Sequence, residues 1–457
     1  MSITTVVAEA AVEELKKQVR GELIRTGEPS YESARKVWNG MIDRRPAVIV
    51  RCSGVADVID AVNFARDSNV PLAVRGGSHS AAGLAMCDDG LVIDLSAMRG
   101  VRVDPRARTV QAQGGLIWAD LDRETQVFGL ATTGGTVSNT GIGGLTLGGG
   151  LGWLMGKHGF ACDNVLSIDL VTANGEVVTA SPSEHGDLFW ALRGGGGNFG
   201  VATSFEFQLH PVGPAVLGGM VIHPLARARE VLRFYREFCR GLPDEAEAFA
   251  ALLTSPDGNP VIALLLGYNG PLDEGERVLA PARHFGPPVA DLVGPMPYVQ
   301  RQRLIDDPLG VNGIHRYWKS GFASELSDAF IDLMVERAGR LLSPMTVIGL
   351  FYVHGVAGRV DPGATAFGLR ANQWDFDIIS QWTNPTETAI HVQWTREFWA
   401  AAEPFTTGAV YVNHIAEDEP GRVPAAFGGN YDRLVSIKTK YDPSNLFRLN
   451  HNIKPRA

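Results

Sequence analysis

The stretch RGGSHSAAGLA, residues 75 to 85, puts the imidazole of His79 inside a run of glycine, serine and alanine. A neutral imidazole nitrogen is a nucleophile and a proton acceptor near neutral pH, and small neighbours let it lie against a ligand. Two more glycine clusters follow in the same half of the chain, at 134–152 and 194–200. Glycine lets backbone N–H groups approach a ligand closely and takes up φ > 0. Successive N–H groups form nests that suit a pyrophosphate. A single cluster of this kind reads first as a tight turn; three, with a histidine in the first, favour a cofactor. No G-x-G-x-x-G joins a strand to a helix with an acidic residue downstream, and no G-K-[ST] follows a cluster. A nicotinamide Rossmann site is therefore a weak reading, and a Walker loop is absent.

A second set of residues could handle protons. The alternation in GAVYVNHI reads as a strand with Tyr411 and Asn413 on one face and Val410, Val412 and His414 on the other. FYVHGVAGRV puts Tyr352 and His354 on one strand face. WDFDIISQW puts Asp375, Asp377 and Gln381 together, opposite Trp374, Phe376 and Trp382. Such polar faces line a pocket or meet solvent. For the carboxylates solvent is the expectation, because charged residues are mostly exposed. A tyrosine with an ordinary pKa of about 10 is a poor base at neutral pH unless a cation or hydrogen bond lowers it.

The elements that must hold these groups are legible in outline. PAVIVR, VADVIDAVNFARDSN and VPLAVRG read as strand, helix and strand, one βαβ unit ending at the His79 loop. GLVIDLS and RTVQAQGG are further strands, and LIWADLDRETQVFGL is a helix. NVLSIDLVTANGEVVTAS reads as a hairpin turning at Asn174-Gly175. From about residue 214 the glycine clusters vanish. AVLGGMVIHP, FAALLTS, PVIALLLGYNG, MTVIGLFYVHG and QWDFDIISQWT are strands separated by helices such as LSDAFIDLMVERAGRLL. Strands outnumber βαβ repeats there, which predicts an antiparallel sheet with helices on one face.

Composition narrows the partners. A chain of 457 residues is long enough for two or three domains. The 41 Lys and Arg against 50 Asp and Glu leave a net charge of −9, which argues against nucleic acid or an anionic membrane as the main partner. The four cysteines, Cys52, Cys87, Cys162 and Cys239, show no metal spacing and read as buried thiols. The first 23 residues read as a short amphipathic helix rather than a signal peptide, and no run is apolar enough to span a membrane. A soluble cytoplasmic protein is the expectation.

In order, PLAVRGGSHSAAG, GLVIDLSAM, GLATTGGTVSNTGIGGLTLGGGLGWLMGKHGFACDNV and ALRGGGGNFGVAT resemble the FAD-linked oxidases of the vanillyl-alcohol-oxidase superfamily. The C-terminal YDPSNLFRLNHNI resembles the berberine-bridge-enzyme-like branch. The similarity runs over nearly the whole chain. It implies a two-domain α+β fold of the PCMH-type FAD-binding class, with a cofactor domain over 1–213 completed by the berberine-like return segment 405–457. A substrate domain, an antiparallel sheet backed by helices, would lie between, over 214–404.

The resemblance also implies roles. His79 matches the histidine that bonds to the 8α-methyl carbon of FAD. Arg75, Gly76, Gly77, Ser78, Ser80 and Gly83 would surround it. Gly114, Thr133, Gly134, Thr136, Val137, Gly141, Gly143, Gly144, Gly148, Gly149, Val201, Asn413, Asn450 and Asn452 would complete the cofactor set. Many relatives carry a second tether, a cysteine four residues before Gly141; here that position is Val137, so a single bond is expected. Tyr411 matches a tyrosine that lies by the flavin as base or hydrogen-bond donor, with His354 and Asp375 as other candidates for the base, and no metal is called for. The implied activity is oxidation of a small substrate at a C–H beside OH or NH, with hydride passing to flavin N5 and O2 as electron acceptor. The alternatives are a dehydrogenase using another acceptor and a flavin-binding protein without turnover.

Overall fold

The computed structural model describes residues 9–456; the N-terminal helix runs Glu9–Gln18, and the part of that expectation over residues 1–8 lies outside the described residues. The helix Val55–Asp67 buries Val58, Ala61, Val62 and Ala65, the one-sided spacing read from the sequence. It packs on a four-stranded sheet in the order Glu22–Arg25, Val48–Arg51, Leu91–Asp94, Leu72–Arg75. The two strands of the βαβ unit are parallel but not neighbours, since Leu91–Asp94 pairs between them. The His79 loop leaves the C-terminal end of Leu72–Arg75, the end of a parallel sheet where ligands gather.

A five-stranded antiparallel sheet follows, in the order Val101–Asp104, Thr109–Gln113, Val201–Gln208, Val165–Val171, Val177–Ala180. The predicted hairpin closes on Gly175 at φ 79°. The second glycine cluster lies in the connection between Thr109–Gln113 and Val165–Val171, and the third in that between Val177–Ala180 and Val201–Gln208.

The largest sheet is antiparallel, as expected. Its path is Ala290–Asp291, Ala215–Pro224, Pro260–Tyr268, Ala246–Thr254, Val347–Val353, Gln373–Trp382, His315–Ala323, with Gly294–Pro297 also on Ala215–Pro224. Helices Ala228–Arg240, Asp328–Ala338 and Thr388–Ala402 bury Leu232, Met334 and Phe398 on one face, where Trp374, Phe376 and Ile378 meet them. The opposite face carries Phe249, Leu265 and Ile379 against Val137, Trp153 and Tyr411 from outside the sheet. A strand alternates its faces residue by residue, so Gln373–Trp382 sends its apolar half to the helices and Asp375 and Asp377 to the other side.

Two expectations change. GAVYVNHI is not a strand: Tyr411 is extended and Val412–His414 form a single 3₁₀ turn. Its backbone has no full ladder to join, only bonds at the end of His315–Ala323, where Phe322 N–H donates to Ala409 O. The turn breaks the alternation, so His414 comes round to the side of Tyr411. The carboxylates of Asp375 and Asp377 do not meet solvent either; both are fully buried.

Candidate functional site

The three glycine loops, the C-terminal segment and the open face of the large sheet enclose one cavity of about 300 Å³. Gly76, Gly77, Ser78, His79 and Ser80 form one stretch of wall, with Gly114 beside them. Thr136, Val137, Gly141, Gly143 and Gly144 form the next, and Gly195 to Asn198 the third. The first two loops touch through their backbones: a Cβ on Gly77 would collide with the backbone of Gly141, and one on Gly141 with that of Gly77. Glycine at both positions is therefore a condition for this wall. Ser78 sits in the left-handed region at φ 62°, a conformation that costs a non-glycine residue about 1–2 kcal/mol. It aims the next residue, His79, into the cavity.

His79 is flanked closely. Its ring stacks on Trp38 at 4.6 Å, and its Nε2 lies 2.8 Å from Asn139 Oδ1. Burial pulls its pKa down to about 4, so the ring is neutral across the physiological range. The return segment is locked from beneath: Lys438 Nζ donates to Asp442 at 2.5 Å, and Asp442 accepts from the N–H groups of Leu446 and Phe447. This sets Asn450 and His451 on the cavity, where Asn450 Nδ2 donates to Gly197 O at 3.1 Å.

The sheet supplies the facing wall with Trp318, Phe351 and Ile379, beside Leu309 from the short helix Asp306–Leu309 and Tyr411, Asn413 and His414. The Tyr411 hydroxyl accepts from Gly150 N–H at 3.0 Å and from Asn413 Nδ2 at 2.8 Å. Burial nonetheless drives its pKa well above the ordinary tyrosine value. Both donors occupy its lone pairs and leave its proton free, so Tyr411 is a donor to the cavity and a poor base. His414 stacks on Trp318 at 4.3 Å, and its Nδ1 lies 3.1 Å from Asp377 and 3.3 Å from Asp375. Burial opposes a charge on His414, but Asp377 and Asp375 outweigh it and raise its pKa. Burial and then Asp377 raise that of Asp375. Trp318 Nε1–H donates to Asp377 at 2.7 Å, while both Asp375 oxygens lack hydrogen-bond donors among the described residues.

Several expected residues stand off the wall. His354 is buried beyond the sheet, 3.0 Å from Ala246 O and stacked on Tyr352, because the chain turns away after Val353. Asp375 reaches the cavity only through His414. The Arg75 guanidinium is drawn back to Ala34 O and toward Asp94. Gly83 packs on Ile42, Gly134 on Trp118, Gly148 on the Asn413 side chain and Gly149 on Phe367, each shaping a loop from behind. Thr133 Oγ1 donates to Gly159 O at 2.7 Å, Val201 is a buried strand residue, and Asn452 lies just past the wall, its Oδ1 unpartnered among the described residues. Cys162 is buried beside Arg370 and Asp163, off the cavity. The reading of the sequence missed His414 and Asn139. A histidine directly after Asn413 was visible, but the assumed strand turned it away.

The cavity fits a flavin nucleotide. Its glycine walls allow close backbone approach, and Ser78 Oγ and Asn450 Oδ1, on residues of those walls and the return segment, are buried with no hydrogen-bond partner among the described residues. Buried polar atoms are rarely left so unless a ligand meets them.

Comparison with known proteins agrees. Residues 46–181 match the FAD binding domain family, and 410–454 match the berberine and berberine-like family. A FAD-linked oxidoreductase of Dictyostelium discoideum is 33% identical over 97% of this chain and 97% of its own. The (R)-6-hydroxynicotine oxidase of Paenarthrobacter nicotinovorans is 29% identical, over 96% and 98%. The crystal structure of 6-hydroxy-D-nicotine oxidase from Arthrobacter nicotinovorans superposes with a TM-score of 0.89 at 28% identity, covering 96% of this chain and 98% of that one. No helix among the described residues is long and apolar enough to cross a membrane. By its cavity, its sequence relatives and its architecture, this chain belongs to the FAD-linked oxidoreductases with a PCMH-type FAD-binding fold and a berberine-like C-terminal segment, and it is an FAD-dependent enzyme.

Proposed function

We propose that the enzyme is an oxidase of small substrates that holds FAD by a single covalent bond from His79 and takes hydride from a C–H beside OH or NH. Residues 1–213 and 405–457 form the cofactor part in this reading, and 214–404 the substrate part. Bound FAD supplies the hydride acceptor, and O2 reoxidises it. The observation that carries the reading is one cavity with His79 on its glycine wall and a proton-handling group on the wall opposite. Val137 on the wall and Cys162, buried off the wall, speak for one bond only.

In its free-base form, populated on the alkaline side of neutrality, His414 takes the substrate proton. Its Nδ1 lies against the Asp375 and Asp377 carboxylates, at 3.3 and 3.1 Å, which assigns the substrate proton to Nε2. The two carboxylates stabilise the imidazolium that forms, which makes Asp375 a positioning residue. Tyr411 donates its hydroxyl proton to the substrate heteroatom and orients it. Trp318, Phe351 and Ile379 favour a flat apolar substrate, an aromatic alcohol or an N-heterocyclic amine, over a sugar. An anaerobic screen of these classes for flavin bleaching tests the reading. Bleaching by one class, followed by recovery of colour in air with peroxide formed, supports it. Recovery only with an added dye makes the protein a dehydrogenase, and no bleaching by any class, with dithionite still effective, leaves a flavin-binding protein without turnover.

A further inference from the structure

The hydrogen bond on His79 is anchored by a distant segment. Asn139 Nδ2 donates to Gly310 O at 2.6 Å, which fixes the amide's orientation and turns Oδ1 toward His79. An amide oxygen only accepts, so the 2.8 Å contact requires a proton on His79 Nε2. The lone pair then resides on Nδ1, which no side chain engages among the described residues. The same stretch of chain pins the rest of the surroundings. Asp306 accepts from Ser138 N–H at 2.8 Å and from Ser138 Oγ at 2.6 Å. Leu309 O accepts from Nε1 of Trp38, the ring stacked on His79.

We propose that Asn139 is the positioning residue for flavin attachment: held by Gly310, its Oδ1 keeps the His79 proton on Nε2 and so presents Nδ1 as the nucleophile. This rests on the covalent bond proposed above. Attachment forms a bond from Nδ1 to the 8α carbon. The methyl group gives up one proton and the imidazole gives up the Nε2 proton. The electron pair of the broken C–H bond reduces the flavin, and O2 takes up two electrons and two protons as hydrogen peroxide. As Nδ1 is alkylated, positive charge develops on the ring. The bond from Nε2–H to Oδ1 becomes charge-assisted and strengthens at that moment, which is where an interaction accelerates a step. Because the anchor lies at 306–310, attachment also requires that segment to be docked on the glycine loops.

The test is made on the full chain produced with FAD. Total flavin is read from the absorbance of the native protein, and attached flavin from the colour of acid-precipitated protein over time. Asn139→Leu has nearly the same volume and no acceptor. It should bind FAD in normal amount yet attach it on the order of 10- to 100-fold more slowly. A second measurement is the attachment nitrogen, read by NMR on the isolated flavinyl peptide: Nδ1 alone in the natural protein, with Nε2 adducts emerging in the variant. Should Asn139→Leu fail to fold, Asn139→Ala removes the same acceptor without its bulk. Attachment to Nδ1 alone at the natural rate in a variant that lacks the acceptor overturns the proposal. A colourless precipitate from the natural protein, indistinguishable from His79→Ala, instead overturns the covalent bond itself.

Discussion

The two walls of the cavity work by different means. The glycine wall acts through backbone: Gly77 and Gly141 meet with no room for a side chain, and His79 is the imidazole it carries. The sheet wall acts through side chains. Trp318, Phe351 and Ile379 come from three strands, and His414 from a turn far along the chain draws Asp375 and Asp377 in behind it. Backbone shape suits a cofactor, whose pyrophosphate and ring are constant. Side chains suit a substrate, whose chemistry has to be selected. One wall is thus sensitive to added volume, and the other to a lost proton or charge.

Variants can separate the walls. The largest effect is expected from His79→Ala, which should leave acid-precipitated protein colourless; retained colour would mean another tether. Next, His414→Phe keeps an aromatic ring on Trp318 and removes the proton acceptor. Flavin reduction by the substrate from the screen should slow by ~10²–10⁴-fold in stopped flow, with FAD content unchanged. Reduction at the natural rate would break the division between the walls.

The pH profile sharpens the same point. The carboxylates raise the His414 pKa above its ordinary value, so the free base grows only as pH rises through that raised value. The reduction rate should therefore climb on the alkaline side of neutrality. Asp375→Asn should move that limb down toward a pH of about 6.5, the unperturbed histidine value. Linkage has the opposite sense for stability. The shift stabilises the fold below the ordinary histidine pKa and is lost as pH rises through the raised one. A limb unmoved in Asp375→Asn would remove the carboxylate from its positioning role.

On the glycine wall, Gly77→Ala forces the two loops apart. Overpacking of this kind costs ~1–3 kcal/mol and should lower FAD content and melting temperature together. The smallest effect on rate belongs to Tyr411→Phe. Loss of one hydrogen bond, worth about 0.5–1.5 kcal/mol, should slow reduction by ~2–10-fold. Gly150 N–H would lose its buried acceptor, at a stability cost of about 1–3 kcal/mol. A rate loss as large as that of His414→Phe would make Tyr411 the base after all.

The legibility of the sequence divides along the same line. Val58, Ala61 and Ala65 gave the helix 55–67, and Asn174-Gly175 gave the hairpin, because period and turn chemistry are local. The glycine clusters and His79 were readable for the same reason: a backbone that must bend and approach closely leaves its mark in consecutive residues. The alternation of Gln373–Trp382 correctly set Asp375 and Asp377 on one face. It could not say what covers that face, and the general exposure of carboxylates pointed the wrong way.

The residues in their order fixed most helices and strands of both halves, the three glycine clusters, the histidine within the first of them and valine at 137. Those features depend on which residues follow one another. Tertiary structure alone decided that His354 faces away, that Val412–His414 turns instead of pairing, and that His414 meets Asp375 and Asp377. It also decided that Gly310 orients the amide on His79. Each of these is a contact between segments remote in the chain, and the protonation and accessibility of a buried group depend on all its neighbours at once, wherever in the sequence they arise.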